Sequence, residues 1–290
     1  MMESIIWLPQ GIPCAERLSA KVFLPSQWQD CSVSHCVLLL NLMPQKEVTE
    51  LDIARTLAEC GEDVQLLLMK IKGLTYKTTS MEHMQKFYLD FEAYSSFYFD
   101  HLIITGAPLE QMAFEEVRYW KQLSVIMDWA ETHVKHTLYI CWGAQAGLYY
   151  HYGIPKYPLS EKMFGVFDQQ VKVGSSPLMG GLTPSFKMPN SRHTEVREVD
   201  IARHFQEGLQ IIASSRESGV GVVATSDCRK TFIVGHLEYE PHTLHNEYHR
   251  DLDKHLPISS PLHYYRSDGS IDYSWHESAI RFYRNWLCLK

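Results

Sequence analysis

Cys141 is the residue of this chain best placed for covalent chemistry. The apolar run Thr137 to Ile140 leads into it, and the small residues Gly143 and Ala144 open a helical stretch through Ala146 and Leu148. A strand that turns at once into a helix at a nucleophile is a nucleophile elbow, which lifts the reactive atom above the sheet. A helix N-terminus behind a sulfur favours thiolate over thiol. The backbone N–H of Trp142, with an N–H of another strand-end loop, would supply oxyanion donors. A small buried cysteine closing a strand is the competing reading. A thiol nucleophile also needs a base, and Phe232 to Glu238 reads as an apolar strand ending Gly235-His236-Leu237-Glu238. Residues two apart on a strand share a face, so His236 would take the thiol proton while Glu238 fixes its tautomer. A solvated His-x-Glu at a strand end is the plainer alternative.

These groups need a sheet to position them. Strands are predicted at Cys36 to Leu42, Val64 to Met69, His101 to Thr105 and Thr137 to Cys141. A helix is predicted over Glu47 to Cys60, where Leu51, Ala54, Leu57 and Ala58 repeat at helical spacing, and one bent helix or two short ones over Phe114 to Val134. Such alternation implies an α/β fold with a doubly wound, mostly parallel sheet and helices on both faces, whose sites lie beyond the carboxyl ends of the strands. NLMP (Asn41 to Pro44), TGAP (Thr105 to Pro108) and CWGAQAG (Cys141 to Gly147) each follow an apolar run, so three loops would converge on one edge. Shorter β-like pieces follow at Gly165 to Val173, Leu209 to Ala213, Val220 to Ala224 and Thr231 to Gly235. Gly174 to Asn190, rich in Ser, Gly and Pro, reads as a surface loop. Glu277 to Leu287 reads as a helix with Ile280, Tyr283, Trp286 and Leu287 inward, in a packing role.

Composition narrows the function. The chain has 290 residues, 45% of them hydrophobic, enough for a sizeable core and for one large α/β domain over 1–290. With 27 basic and 34 acidic residues the net charge is -7, and no Lys/Arg-rich run appears, so nucleic acid is not expected as a partner. No basic stretch precedes an apolar one at Met1 to Gln10, and no apolar run approaches about 18 residues, so a cytoplasmic protein without membrane attachment is expected. The seven cysteines (Cys14, Cys31, Cys36, Cys60, Cys141, Cys228, Cys288) show no CxxC spacing, which points to reduced thiols rather than a disulfide framework or a zinc site. His242, His245 and His249 lack a glutamate in HExxH register, and no metal is expected.

The cysteine elbow followed much later by His-x-Glu resembles the class I glutamine amidotransferase architecture, and the surrounding words resemble the homoserine O-acyltransferase (homoserine transsuccinylase) family. The matching words are NLMP with Lys46, TGAPLE with FEEVRYW, LYICWGAQAGLYYHYGIPKYPL, EKMFGV, NSRHTEV, and GHLEYE followed by EYHRD. The resemblance implies that Cys141 carries an acyl-thioester, that His236 is the base and that Glu238 is its partner, in a ping-pong reaction. Acyl-CoA would load Cys141, and His236 would then deprotonate the hydroxyl of a small amino acid that attacks the thioester. No bound cofactor is implied, only an acyl-CoA co-substrate. By the same resemblance Lys162, Ser191 and Arg250 would hold the ammonium and carboxylate of homoserine. Lys46, Trp142 and Arg192 would play supporting parts, and a homodimer is implied. Solvated charges and a turn hydroxyl are the plainer readings of Lys162, Ser191 and Arg250.

Glu110 ends TGAPLE where that family selects its acyl group. Succinyl has a distal carboxylate that a glutamate repels, whereas a glutamate fills space beside an acetyl methyl, so acetyl-CoA is the predicted donor. An exposed loop glutamate without substrate contact is the alternative. The resemblance thins at Gln45, at Glu47 to Glu50, at SWHES (Ser274 to Ser278), over 1–35 and over 256–290. None of these touches Cys141, His236 or Glu238, but they bear on the acceptor. Serine is one methylene shorter than homoserine, worth roughly 1 to 3 kcal/mol in a pocket, so a serine O-acetyltransferase of cysteine synthesis is the second acceptor reading. A glutamine-hydrolysing enzyme and a non-catalytic binding protein are the other classes weighed; the first lacks a domain to use ammonia, and the second sits poorly with a complete nucleophile, base and acid.

Overall fold

Strand sequences such as HCVLLL and VQLLLMK have no polar face, so a sheet built from them must be covered on both sides. The computed structural model describes residues 5–30 and 33–290. Met1 to Ser4, and Cys31 among the seven cysteines, lie outside the described residues. The strands are β1 (Ile6–Pro9), β2 (Lys21–Phe23), β3 (His35–Leu40), β4 (Val64–Lys70), β5 (Leu89–Asp90), β6 (Phe99–Ile104), β7 (Val134–Ile140), β8 (Tyr157–Val171), β9 (Ser185–Glu195), β10 (Leu209–Ser215), β11 (Gly219–Thr225) and β12 (Lys230–Ile233). The helices are α1 (Pro13–Arg17), α2 (Lys46–Glu59), α3 (Met81–Phe87), α4 (Trp120–His133), α5 (Trp142–Tyr152), α6 (Glu198–Ala202), α7 (Thr243–Asp253) and α8 (His276–Leu287).

The sheet runs β2-β1-β4-β3-β6-β7-β12-β11-β10-β8-β9, with β5 paired to β4. From β2 to β12 neighbouring strands are parallel. From β12 onward, through β11, β10, β8 and β9, they are antiparallel. Side-chain alternation sorts the apolar residues to the two faces. Val37, Leu39, Leu66 and Leu68 pack with α1, α2, α3 and α8 on one side. Leu38, Leu40, Leu67 and Met69 pack with α4, α5 and α6 on the other. A third, smaller cluster of Phe164, Val166, Leu244, Tyr264 and Trp275 seats α7.

The predicted strands and the α2 helix are present with small shifts at their ends. Phe114 to Val134 is a short 3₁₀ turn (Phe114–Glu116) followed by α4. Part of the predicted loop is strand, because β9 begins at Ser185 and pairs with β8 through Asn190. On α8 the buried set is Ala279, Phe282, Tyr283, Trp286 and Leu287, and Ile280 is only half-buried. Finally, β12 stops at Ile233, so His236 and Glu238 lie in the loop beyond it. Their common side therefore comes from loop geometry, pinned where His236 N–H donates to the Pro189 carbonyl at 2.8 Å, and not from strand alternation.

Candidate active site

Cys141 ends β7 and caps α5 with φ 53° and ψ -116°. A side chain in that backbone region is strained, and such strain persists only where the surroundings over-determine it. Two glycines show how tightly they do so. A Cβ on Gly143 would fall 2.6 Å from the Thr105 carbonyl oxygen and 2.7 Å from that of Ile104, so the first turn of α5 sits directly on the end of β6. A Cβ on Gly106 would lie 3.2 Å from the Cys141 Cβ, which places the bare backbone of the TGAP loop against Cys141. The three strand-end loops are joined: Thr105 Oγ1 accepts from Leu42 N–H at 2.8 Å, linking NLMP to TGAP beside the elbow. Trp142 is fully buried, and its N–H opens α5, where no intrahelical acceptor exists. Cys141 retains 6% exposure, recessed beneath these loops.

His236 reaches toward the sulfur from the loop beyond β12, the neighbour of β7, and the ring and the thiol act on one another. On the ring's other side Nδ1 meets Glu238 Oε1 at 2.7 Å, with both side chains buried. Burial opposes charge on the ring, yet the Cys141 sulfur and the Glu238 carboxylate together hold His236 well above its usual pKa. The imidazolium form is thereby stabilised, as a proton held for a leaving group requires.

The supporting residues fall in different places. Arg192, 1% exposed, donates to Asn190 Oδ1 at 3.1 Å, to the Thr194 carbonyl at 2.6 Å and to the Ser218 carbonyl. It forms no ion pair among the described residues; burial lowers its pKa to about 10, and the Cys141 sulfur is the first charge to oppose that. Lys46 is buried beneath the NLMP loop, donating to the carbonyls of Asn41 at 2.6 Å and Met43 at 2.7 Å. Burial takes its pKa down to about 8, against Glu50. Lys46 thus ties down the loop and does not project into the cleft.

Lys162 on β8, Ser191 on β9 and Arg250 on α7 surround a residue that sequence reading missed. Glu247 accepts from Ser191 Oγ at 2.6 Å and from the Tyr239 hydroxyl at 3.0 Å, and lies 3.6 Å from Lys162 Nζ. Tyr239 stacks on His236 with ring centroids 4.0 Å apart, so this polar cluster is one side chain from that ring. Arg250 is exposed and binds Asp251 at 2.7 Å; Lys162 is 3.5 Å from the same residue. Glu247 lies in the EYHRD word, three positions before Arg250 and on the same helical face, which is the signal that marks it. Glu110 is half-buried beyond the TGAP loop, where its charge acts on Lys156.

His242, His245 and His249 line one side of α7, with His245 Nδ1 bound to the Tyr265 hydroxyl at 2.8 Å. Among the described residues, the three-residue group with metal-ligand spacing is His35, Glu62 and Cys288. It lies at the opposite ends of the strands from Cys141, and Arg284 already pairs with Glu62 at 3.3 Å.

The family model for homoserine O-succinyltransferase matches residues 8–289. A homoserine O-acetyltransferase of Parabacteroides distasonis is 48% identical over 254 residues, covering 87% of this chain and 81% of that protein. One from Clostridium beijerinckii is 49% identical, with 87% and 83% covered. Among solved structures, a glutamine amidotransferase of Thermotoga maritima superposes with a TM-score of 0.56 at 11% identity, over 88% of this chain and 97% of that one. A glutamine amidotransferase of Methylobacillus flagellatus gives 0.55 at 11% identity, covering 88% and 93%. At such identities the solved structures speak to the fold alone.

The base tests the geometry directly. His236→Asn is expected to slow iodoacetamide alkylation of Cys141 at neutral pH by about tenfold or more. Equal rates in the folded variant and the parent would show that the ring does not act on the sulfur.

Proposed function

Because the chain belongs to the homoserine O-succinyltransferase family, we propose that it transfers acetyl from acetyl-CoA through Cys141 to the hydroxyl of homoserine. That it is an acyltransferase acting on homoserine, in methionine biosynthesis, follows from the family and its close relatives. The donor and the path of the acyl group are our reading: Glu110 carries the choice of acetyl, and the Cys141–His236–Glu238 linkage at the carboxyl edge of the parallel strands carries the path.

In the first half-reaction the Cys141 sulfur attacks the thioester carbonyl of acetyl-CoA. The oxyanion is met by the Trp142 N–H and by the TGAP backbone at Gly106, and Arg192 adds a buried positive charge close by. The proton on His236 passes to the CoA sulfur as it leaves. In the second, homoserine enters beside Tyr239, His236 Nε2 takes its hydroxyl proton, and the alkoxide attacks the acyl-thioester. Glu247 offers a carboxylate to the acceptor's ammonium, while Lys162 and Arg250 offer cations to its carboxylate. Glu238 holds the ring through both halves. No helix of the described residues is long and apolar enough to cross a membrane.

Incubation with labelled acetyl-CoA should leave label on Cys141 as an alkali-labile thioester, and Cys141→Ala should abolish both label and turnover. Transfer that persists in Cys141→Ala would rule out the covalent route. Scored by kcat/KM for acetyl- and succinyl-CoA against homoserine and serine, Glu110→Gly should move donor preference toward succinyl-CoA. An unchanged ratio would remove the case for Glu110 as the acyl selector. Glu247→Gln should raise the KM for homoserine by about 10- to 100-fold, the loss expected for a charged hydrogen bond, with a smaller effect on kcat. A change confined to kcat would place Glu247 outside the acceptor site.

A further inference from the structure

The amino ends of the parallel strands, remote from Cys141, gather a second set of groups able to hold a ligand. His35 opens β3, Glu62 stands in the turn between α2 and β4, and Cys288 caps the end of α8. Each offers one ligand atom, an imidazole nitrogen, a carboxylate oxygen and a sulfur, and the three atoms lie within 4.8 Å of one another. Residues so far apart in the chain obey no spacing rule, so the sequence alone gives no sign of them.

The fold holds the three together. His35 N–H donates to the Asp63 carbonyl at 3.1 Å, which fixes the residue after Glu62 against the first residue of β3. Cys288 N–H donates to the Arg284 carbonyl at 3.0 Å and closes α8. In that last turn Trp286 is buried against His101, with ring centroids 4.5 Å apart, and His101 lies 5.4 Å from His35 by the same measure. His35 Nε2 stands 3.9 Å from Glu62 Oε2, whereas Arg284 Nε pairs with the other oxygen, Oε1, at 3.3 Å. The guanidinium is thus an outer partner of the carboxylate, of the kind that orients metal-ligating carboxylates. A tetrahedron with bonds of about 2.0 to 2.3 Å has edges of roughly 3.3 to 3.7 Å, so small side-chain rotations close the group on an ion.

We propose that His35, Glu62 and Cys288 form a binding site for Zn²⁺, with water in the fourth position. One nitrogen, one oxygen and one sulfur donor suit a tetrahedral, borderline-soft ion, and the thiolate disfavours Mg²⁺ and Ca²⁺. Binding releases the Cys288 thiol proton to solvent, and the thiolate and carboxylate charges then balance the two positive charges of the ion. The ion ties the end of α8 to the start of β3 and to the turn before β4. Nearly the whole chain is thereby closed into a loop, so the effect falls on stability and not on acyl transfer. The site stands independently of the reaction proposed at Cys141.

The test uses the full chain, reduced and stripped of metal, with Zn²⁺ alone as the probe. Equilibrium dialysis with elemental analysis should find one equivalent bound, and Co²⁺ in its place should give a thiolate-to-cobalt charge-transfer band. Cys288→Ser should abolish the band and weaken zinc binding beyond the about 10- to 100-fold that loss of an outer partner costs, and His35→Gln should weaken it comparably. Cys141 beside His236 is the other thiol next to an imidazole, so Cys141→Ala is the control and should keep both the binding and the band. Zinc in large excess should raise the Tm of the parent by about 5 °C or more and leave that of Cys288→Ser in place. A parent that binds no zinc, shows no cobalt band or melts indifferently to zinc overturns the proposal. So does a band lost in Cys141→Ala and kept in Cys288→Ser, since the ion would then sit at the elbow, and so does undiminished binding by His35→Gln. Should His35→Gln fail to fold, Cys288→Ser decides, because Cys288 is exposed and a serine there leaves the core intact.

Discussion

A protonatable imidazole buried against a carboxylate 2.7 Å away is the interaction on which the rest of the structure depends. Bringing two such groups out of water is costly, and the cost is offset only if each remaining donor and acceptor is satisfied. His236 meets this condition by lying between two anions or anion precursors, the Cys141 sulfur and Glu238. Arg192 meets it by giving its guanidinium protons to carbonyls and a side-chain amide instead of to a carboxylate, so its charge remains directed at the sulfur. An ion pair for Arg192 would have cancelled that field. The site is thus a short chain of alternating charges, in which removing one member leaves its neighbours buried without compensation.

Alternating charges must be held within tenths of an ångström, and the sheet order explains how. β7 and β12 are adjacent and parallel, so the elbow at Cys141 and the loop bearing His236 leave the same edge side by side. On the other flank β6 pairs with β7, and its loop passes Cys141 as bare backbone because Gly106 and Gly143 carry no side chains. Lys46 plays the quieter part of binding two carbonyls of the NLMP loop, and it does so from inside. Thr194 ties the same region to β9 by donating to Gln145 Oε1 of α5 at 2.8 Å, so the antiparallel half buttresses the elbow helix.

Much of this was legible in the sequence. The parallel half announces itself in runs such as Val37 to Leu40, which alternate between two cores and therefore need no polar residues. The elbow is legible because a strand, a cysteine and small residues follow one another without a spacer. What could not be read is what depends on distant pairing. His236 and Glu238 share a side through a loop pinned to Pro189, not through strand periodicity, and Ser185 to Asn190 becomes strand because β8 offers a partner despite the turn-rich composition nearby. The roles of Arg192 and Lys46 are likewise set by burial, which spacing does not reveal. Glu247 was hidden for a different reason, since a glutamate on a polar helix looks solvated until β8 and β9 are folded against it.

The α7 side of the cleft is seated apart from the elbow. Glu247, Asp251 and Arg250 all belong to α7, which is seated by its own small apolar cluster and not by either main core. That helix faces the edge bearing Cys141 through the ring of Tyr239, stacked on His236, and through Ser191 of β9. A zwitterionic amino acid needs an anion and a cation a fixed distance apart, and α7 with Lys162 supplies both signs within one small region. That region is coupled to His236 through Tyr239 and also through β9, where Ser191 donates to Glu247 and the Pro189 carbonyl accepts from His236 N–H. The apolar seat made by Phe164, Tyr264 and Trp275 therefore fixes where the paired charges of α7 stand relative to His236.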